Sequence, residues 1–251
     1  MNCLGVDLGW SSGASGVCGL RWDGVGLRFV DWGTVATAAD VLDWCDRTLA
    51  PTDPGIIAID APTIIPNPTG TRRPDRLTHR HFGRYHAGCY PANQGRPFAR
   101  QTVGLGKALT ERGFHHAPDI TPQALGRYQI EVFPHPAMIH LFGLDRILKY
   151  KKGRLSDRKT ALAQLRTYLY TVLPRLDPPL LSPLPALPDF APLTGKALKA
   201  IEDQLDSLLC AYIAAHWWYW GRDRNWVFGT TETGYIVIPA PVATLAPCPE
   251  C

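Results

Sequence analysis

Four acidic stretches hold the side chains with which this chain could do chemistry. Gly5-Val6-Asp7-Leu8-Gly9 closes an apolar run on a carboxylate, and Gly55-Ile56-Ile57-Ala58-Ile59 ends in Asp60 in the same way. Tyr128-Gln129-Ile130 leads to Glu131, and a late apolar stretch carries Asp203 and Asp206. A carboxylate set beside hydrophobic core costs on the order of several kcal/mol unless something compensates it. A divalent cation compensates several at once, and oxygen-only ligation favours magnesium or manganese over zinc. The expected chemistry is a two-metal phosphoryl displacement, with ions about 3.5–4 Å apart clamping the attacking and leaving oxygens. In that scheme Asp7 bridges both ions, Asp60 binds one, and Asp206 binds the other together with Asp203. Glu131 is a further ligand, a general base for the attacking water, or a strand-end residue that caps the following turn or pairs with His135 or, more remotely, His140. Two of the others also have local explanations. Asp203 in the early turns of a helix would favour the helix dipole, and an Asp60-Ala61-Pro62 turn can bond its own backbone.

Positioning these groups requires strands that end together and a helix that crosses them. The pattern predicts strands over 2–8, 14–21 and 27–35, a meander. A helix follows over 37–49, with Val41, Leu42, Trp44, Cys45 and Leu49 on one side. The strand over 55–60 is apolar throughout, as for a strand covered on both faces, and its place after a helical crossover puts it beside the first. Residues 61–127 are broken by prolines and are expected to be a long excursion with short helices over 76–86 and 104–114. A fifth strand is expected over 128–133, helices over 136–143 and 156–173, and an irregular proline-rich segment over 174–195. Asp203 and Asp206 then share a face of a long helix over 196–220, and residues 226–237 form a terminal hairpin. The expectation is one α/β domain over 1–240: a mixed five-stranded sheet with flanking helices, a basic insertion after the fourth strand and a C-terminal hairpin. Residues 241–251 follow as a tail.

The net charge of +4 is unevenly spread. Residues 72–116 hold nine Lys and Arg against Asp75 and Glu111, a local charge of +7. Such a patch suits a polyanion, so Arg72, Arg73, Arg76, Arg96 and Arg100 are expected to grip phosphates, with Tyr85, Tyr90 and Phe98 stacking on bases. Lys149-Tyr150-Lys151-Lys152 is a second phosphate-binding candidate. The seven cysteines are scattered and odd in number, which suits free thiols. Cys248-Pro249-Glu250-Cys251 has zinc-knuckle spacing but no second pair nearby. No run of 18 apolar residues predicts a membrane span, and no signal segment opens the chain, so a cytoplasmic protein is expected.

Asp203-Gln-Leu-Asp206-Ser-Leu-Leu-Cys-Ala211 resembles the Asp-x-x-Asp-Ala-x-x-x-Ala helix of RNase H-like nucleases, including Holliday-junction resolvases, with Ser207 where Ala is usual. Gly5-Val-Asp7-Leu-Gly9 is similar to their first-strand motif. With Ile59-Asp60-Ala-Pro62, Ile130-Glu131-Val-Phe-Pro134-His-Pro136 and Gly234-Tyr-Ile-Val-Ile-Pro239 in this order, the chain resembles the RNase H-fold nucleases catalogued as domain of unknown function 429. That resemblance implies an RNase H-like fold and a metal-dependent nuclease activity on a nucleic-acid partner. The Asp-Leu-Gly strand with its Gly/Ser turn also occurs in the sugar kinase, Hsp70 and actin superfamily, which makes an ATP-binding kinase-like protein one alternative. A non-catalytic nucleic-acid-binding protein on the same fold is another.

Overall fold

The structure, a computed structural model, describes residues 1–9, 13–242 and 248–249. Its main sheet is built from β1 (Asn2–Asp7), β2 (Ser15–Trp22), β3 (Leu27–Val35), β4 (Gly55–Ile59), β5 (His115–His116) and β6 (Arg127–Glu131), in the order β3-β2-β1-β4-β6-β5. The first three strands form the antiparallel meander, and β4, β6 and β5 add in parallel. The sheet has six strands rather than five. The extra one, β5, is two residues long and too short to leave any period in the sequence.

The period of two along each strand divides the core. Leu4, Val6, Leu8, Ile57 and Ile59 pack against α1 (Ala38–Thr48) and α3 (Ala99–Glu111). Cys3, Ile56, Ala58 and Ile130 face the other way, onto α6 (Gly195–Trp220), α4 (Pro134–Phe142) and α5 (Leu155–Thr171). Covered on both faces, β1 and β4 are apolar at nearly every position. Eighteen of the 26 residues of α6 are buried, so this helix is an axis of the core rather than an amphipathic surface element.

Each helix begins where its chemistry allows. Thr37 and Asp40 close a reciprocal capping box on α1. In α4 the prolines stand in the first turn, where a missing N–H costs nothing, so the helix starts at Pro134 and not at 136. The excursion over 61–127 holds α2 (Arg73–Phe82), α3 and β5. Both helices begin earlier than their sequence pattern suggests, because Pro74 sits in the first turn of α2 and buried Ala99 and Thr102 open α3. The proline-rich segment after α5 is irregular but tied down. Leu27 donates to the Pro179 carbonyl, and the Tyr212 hydroxyl donates to that of Pro178. β7 (Asn225–Thr230) and β8 (Gly234–Pro239) form the terminal hairpin, which meets the sheet end through a bridge between Val237 and Val132. Among the described residues no helix is long and apolar enough to cross a membrane.

Candidate active site

Asp7 is the last residue of β1, and the side-chain alternation that turns Leu4 and Val6 toward α1 and α3 turns Gly5 and Asp7 toward α6. Two glycines let that helix lie directly on the strands. A Cβ on Gly5 would stand 2.1 Å from the Ser207 carbonyl oxygen, and one on Gly16 would stand 2.0 Å from that of Asp203. No real side chain fits there. The backbone contact carries Asp203 and Asp206 to the end of β1. Asp60 enters from the next strand. Val6 is level with Ile59, and the Asp60 N–H donates to the Val6 carbonyl, so Asp60 follows its strand as Asp7 follows Val6.

Asp7 and Asp206 are buried, and each keeps its Oδ2 without a directed hydrogen bond. Between them comes a cation of the chain itself: Lys151 Nζ lies 2.7 Å from Asp206 Oδ2 and 3.7 Å from Asp7 Oδ2. Tyr150 delivers it. That tyrosine is wholly buried, donates its hydroxyl to Asp206 Oδ1 at 2.6 Å, and accepts from Arg158 at its carbonyl. His135 stacks on its ring, and Phe133 stacks on His135. Burial pushes the Asp7 carboxyl well up; Lys151 opposes the shift, and the carboxylates of Asp206, Asp60 and Asp203 add to it. Burial likewise pushes Asp60 up, to about 7, against the pull of Lys151 and with the push of Asp206. Lys151 would be lowered by its burial, yet Asp206 and Asp7 hold its ammonium well above the ordinary range. Asp203 is buried at one side of this group and paired with Lys199, one turn earlier on α6.

Glu131 is not brought to this place. It is level with Ile59, one position before Asp60, and therefore points to the opposite face of the sheet. There it is engaged by Arg72, whose two terminal nitrogens donate to the two carboxylate oxygens at 2.8 and 2.6 Å. The same guanidinium donates to Asp75 and to the Ile64 carbonyl. The expected role of Glu131 as ligand or base gives way to a buried ion-pair network, and so does the expected phosphate-gripping role of Arg72. Burial pushes the Glu131 carboxyl up, to about 7, against the charge of Arg72, and the guanidinium is itself raised by that carboxylate. The fork geometry is that of an ionised pair.

The other basic residues behave differently. Arg73, Arg76, Arg96 and Arg100 are exposed. Arg76 donates to the Thr71 carbonyl and Arg96 to that of Pro91, which leaves each with further donors for solvent or anions. Arg100 lines an open cleft of about 500 Å³ between α1 and α3, together with Ala38, Leu42, Pro97 and Gln101. Of the three rings expected to stack on bases, Phe98 is buried with Ile65, Ala92 and Ala99. Tyr85 is half-buried under the Arg84 guanidinium. Tyr90 is 73 % exposed, and its hydroxyl accepts from Lys152, the neighbour of Lys151. The signal that marks the 149–152 stretch in the sequence is a tyrosine between lysines, a buried anchor beside a long cation. Cys248 packs partly buried near Trp226, and Cys251 lies outside the described residues, as does most of the Gly/Ser turn after Asp7.

The arrangement is suited to holding a cation against carboxylate oxygens. Asp7 and Asp206 offer two buried oxygens with no directed partner, Asp60 stands alongside, and all the donors are hard oxygens of the kind that bind magnesium or manganese. Among the described residues no three Asp, Glu, His or Cys side chains already close on one point as a ligand set. The ammonium of Lys151 stands where the carboxylates would meet. The donors fit a divalent cation.

The family model described as protein of unknown function (DUF429) matches residues 5–227, a span that includes every acidic position above. No curated protein matches the chain.

Proposed function

This chain belongs to the DUF429 family, and on that footing we propose that it is a magnesium- or manganese-dependent phosphodiester hydrolase acting on nucleic acid, with an RNase H-like fold. The observation that carries this reading is the pair of buried Asp7 and Asp206 oxygens, without directed hydrogen bonds and drawn to one ammonium. Evolution of a stable core alone has no use for such a pair, since burying like charges side by side is costly. The RNase H-like kinship is supported by the antiparallel meander, the parallel β4 beside β1, and an acidic helix laid across both.

Asp7, Asp60 and Asp206 would hold the metal, with Asp203 beside them. The metal, when bound, supplies Lewis-acid polarisation of a phosphoryl oxygen and lowers the pKa of bound water. The chain's own residues do the rest. The rigid contact of α6 on Gly5 and Gly16 fixes the spacing of the acids before substrate arrives. Lys151 presents a positive charge to a non-bridging phosphate oxygen, and the exposed Arg73, Arg76 and Arg96 attract the polyanion from outside. Hydrolysis forms a bond from the water oxygen to phosphorus as the ester P–O bond breaks.

The test is a manganese-supplemented cleavage screen over single-stranded, double-stranded, hybrid and junction substrates, with Asp7→Asn and Asp206→Asn as controls. Cleavage by the native chain that both variants lose by at least about a thousandfold is the expected outcome. Full activity in Asp7→Asn on a substrate the native chain cuts would refute the assignment.

A further inference from the structure

We propose that Lys151 is a fixed counter-cation of the acidic site, standing where a second divalent ion would otherwise bind, so that the site takes one metal ion and not two. The inference rests on the metal-dependent reading above and narrows it.

Its first support is position. An ion shared by Asp7 and Asp206 through their unbonded Oδ2 atoms would fall on the Lys151 ammonium, which lies 3.7 and 2.7 Å from those two atoms. A divalent ion with oxygen ligands at about 2.0–2.6 Å cannot share that space with an ammonium group. Its second support is anchorage. A lysine on a loose loop would be a passing contact, but Tyr150 is fully buried, bonds Asp206 through its hydroxyl, and has its carbonyl held by Arg158. Arg158 in turn pairs with Glu202 on α6, so the segment that carries Lys151 is fastened to the helix that carries Asp206. The third support is what remains. Asp60 has no ion pair with Lys151 or any other cation among the described residues, while Asp203 is paired with Lys199. Asp60, on the strand beside Asp7, is the acid of this group left unpaired for a single ion, next to Asp7, whose contact with Lys151 is the longer of the two. The side chain of Lys151 is 29 % exposed, so its charge also faces the side from which a phosphate would approach.

The test counts ions. Manganese binding to the full chain is followed by electron paramagnetic resonance and calorimetry in the native protein, in Lys151→Met and in Lys151→Arg, with thermal unfolding measured in metal-free and manganese buffers. The native chain and Lys151→Arg are expected to bind one ion. Lys151→Met is expected to bind a second ion, or the first roughly tenfold more tightly. It should also lose stability in metal-free buffer and recover it when manganese is added. Two ions in the native protein, or one ion of unchanged affinity in Lys151→Met, overturns the role of Lys151 while leaving a metal-dependent hydrolase intact. No manganese bound by any of the three folded proteins overturns the metal reading itself. If Lys151→Met folds neither with nor without manganese, two ions in Lys151→Arg would overturn the proposal and one ion with native stability would support it.

Discussion

Gly5 on β1 and Ser207 on α6 meet backbone to backbone, and a methyl group on Gly5 would come within 2.1 Å of the Ser207 carbonyl oxygen and 2.2 Å of the Ala211 nitrogen. Those are main-chain atoms and cannot rotate away. Gly5→Ala must therefore push α6 off the sheet. Overpacking of this kind costs about 3 kcal/mol, and here it also separates Asp206 from Asp7. Denaturant unfolding should show the loss of stability, and manganese binding should weaken with it. A stable Gly5→Ala protein with native metal affinity would mean that the close approach does not set the site.

Arg72 bonds Glu131, Asp75 and the Ile64 carbonyl from a buried position. Asp75 also accepts from the Ala92 N–H, so the network pins the excursion after β4 to the end of β6. Arg72→Met would leave two carboxylates buried without their cation. Breaking a buried pair from one side costs roughly 3–5 kcal/mol. The expected result is a large drop in unfolding free energy. A variant as stable as the native protein, with weakened nucleic-acid binding instead, would return Arg72 to the substrate surface.

The contrast between Asp60 and Glu131 shows what the sequence could carry. Both close an apolar strand, and the primary sequence treats them alike. What separates them is register: β6 pairs Glu131 with Ile59, so the two acids end up one residue out of step and on opposite faces. A one-residue offset between strands more than 60 positions apart depends on tertiary pairing and leaves no local pattern. Asp7 and Asp206 are legible because each sits in an apolar segment where a carboxylate has no local purpose. Gly5 is visible as part of a motif, but its reason, the backbone of α6, is not. The meander, β4 and α6 follow from clear periods. The excursion does not, since prolines interrupt it, α2 opens on one of them, and α2 is held by one buried arginine rather than by a long apolar face.

The four exposed arginines make a separate case. Arg73, Arg76, Arg96 and Arg100 carry no buried ion pair, so replacing them with glutamine should leave stability within about 0.5 kcal/mol of native for each change. For every phosphate that a replaced arginine no longer neutralises, the slope of log affinity against log salt should fall by about 1. Titration of a labelled oligonucleotide at several salt concentrations measures this. A slope that does not move in the fourfold variant would take this face out of the nucleic-acid path.

His216 offers a pH test of the core that is independent of the acidic site. It lies buried on α6, its Nδ1 2.8 Å from Asn225 Oδ1, and Asn225 donates in turn to the Gly221 carbonyl. The amide oxygen can only accept, so Nδ1 carries the proton of a neutral ring. Burial lowers the imidazole to about 4, against the help of Asn225 and with the charge of Arg224 adding to the fall. The unfolded chain would take up a proton near 6.5. Between those values the unfolded state binds more protons than the folded one, so stability rises with pH across the window. The contribution is fully present above about 6.5 and is lost as pH falls toward 4, a span worth about 3 kcal/mol. His116, His135 and His140 are lowered in the same sense, and Asp60 and Glu131 are raised and act in the opposite sense, so the native profile alone is ambiguous. The difference between the native chain and His216→Gln removes these shared terms. The variant should be the less stable protein at pH 7, and its deficit should shrink by about 3 kcal/mol on going to pH 4. Parallel stability curves for the two proteins over that range would mean that His216 takes up its proton equally in the folded and unfolded states.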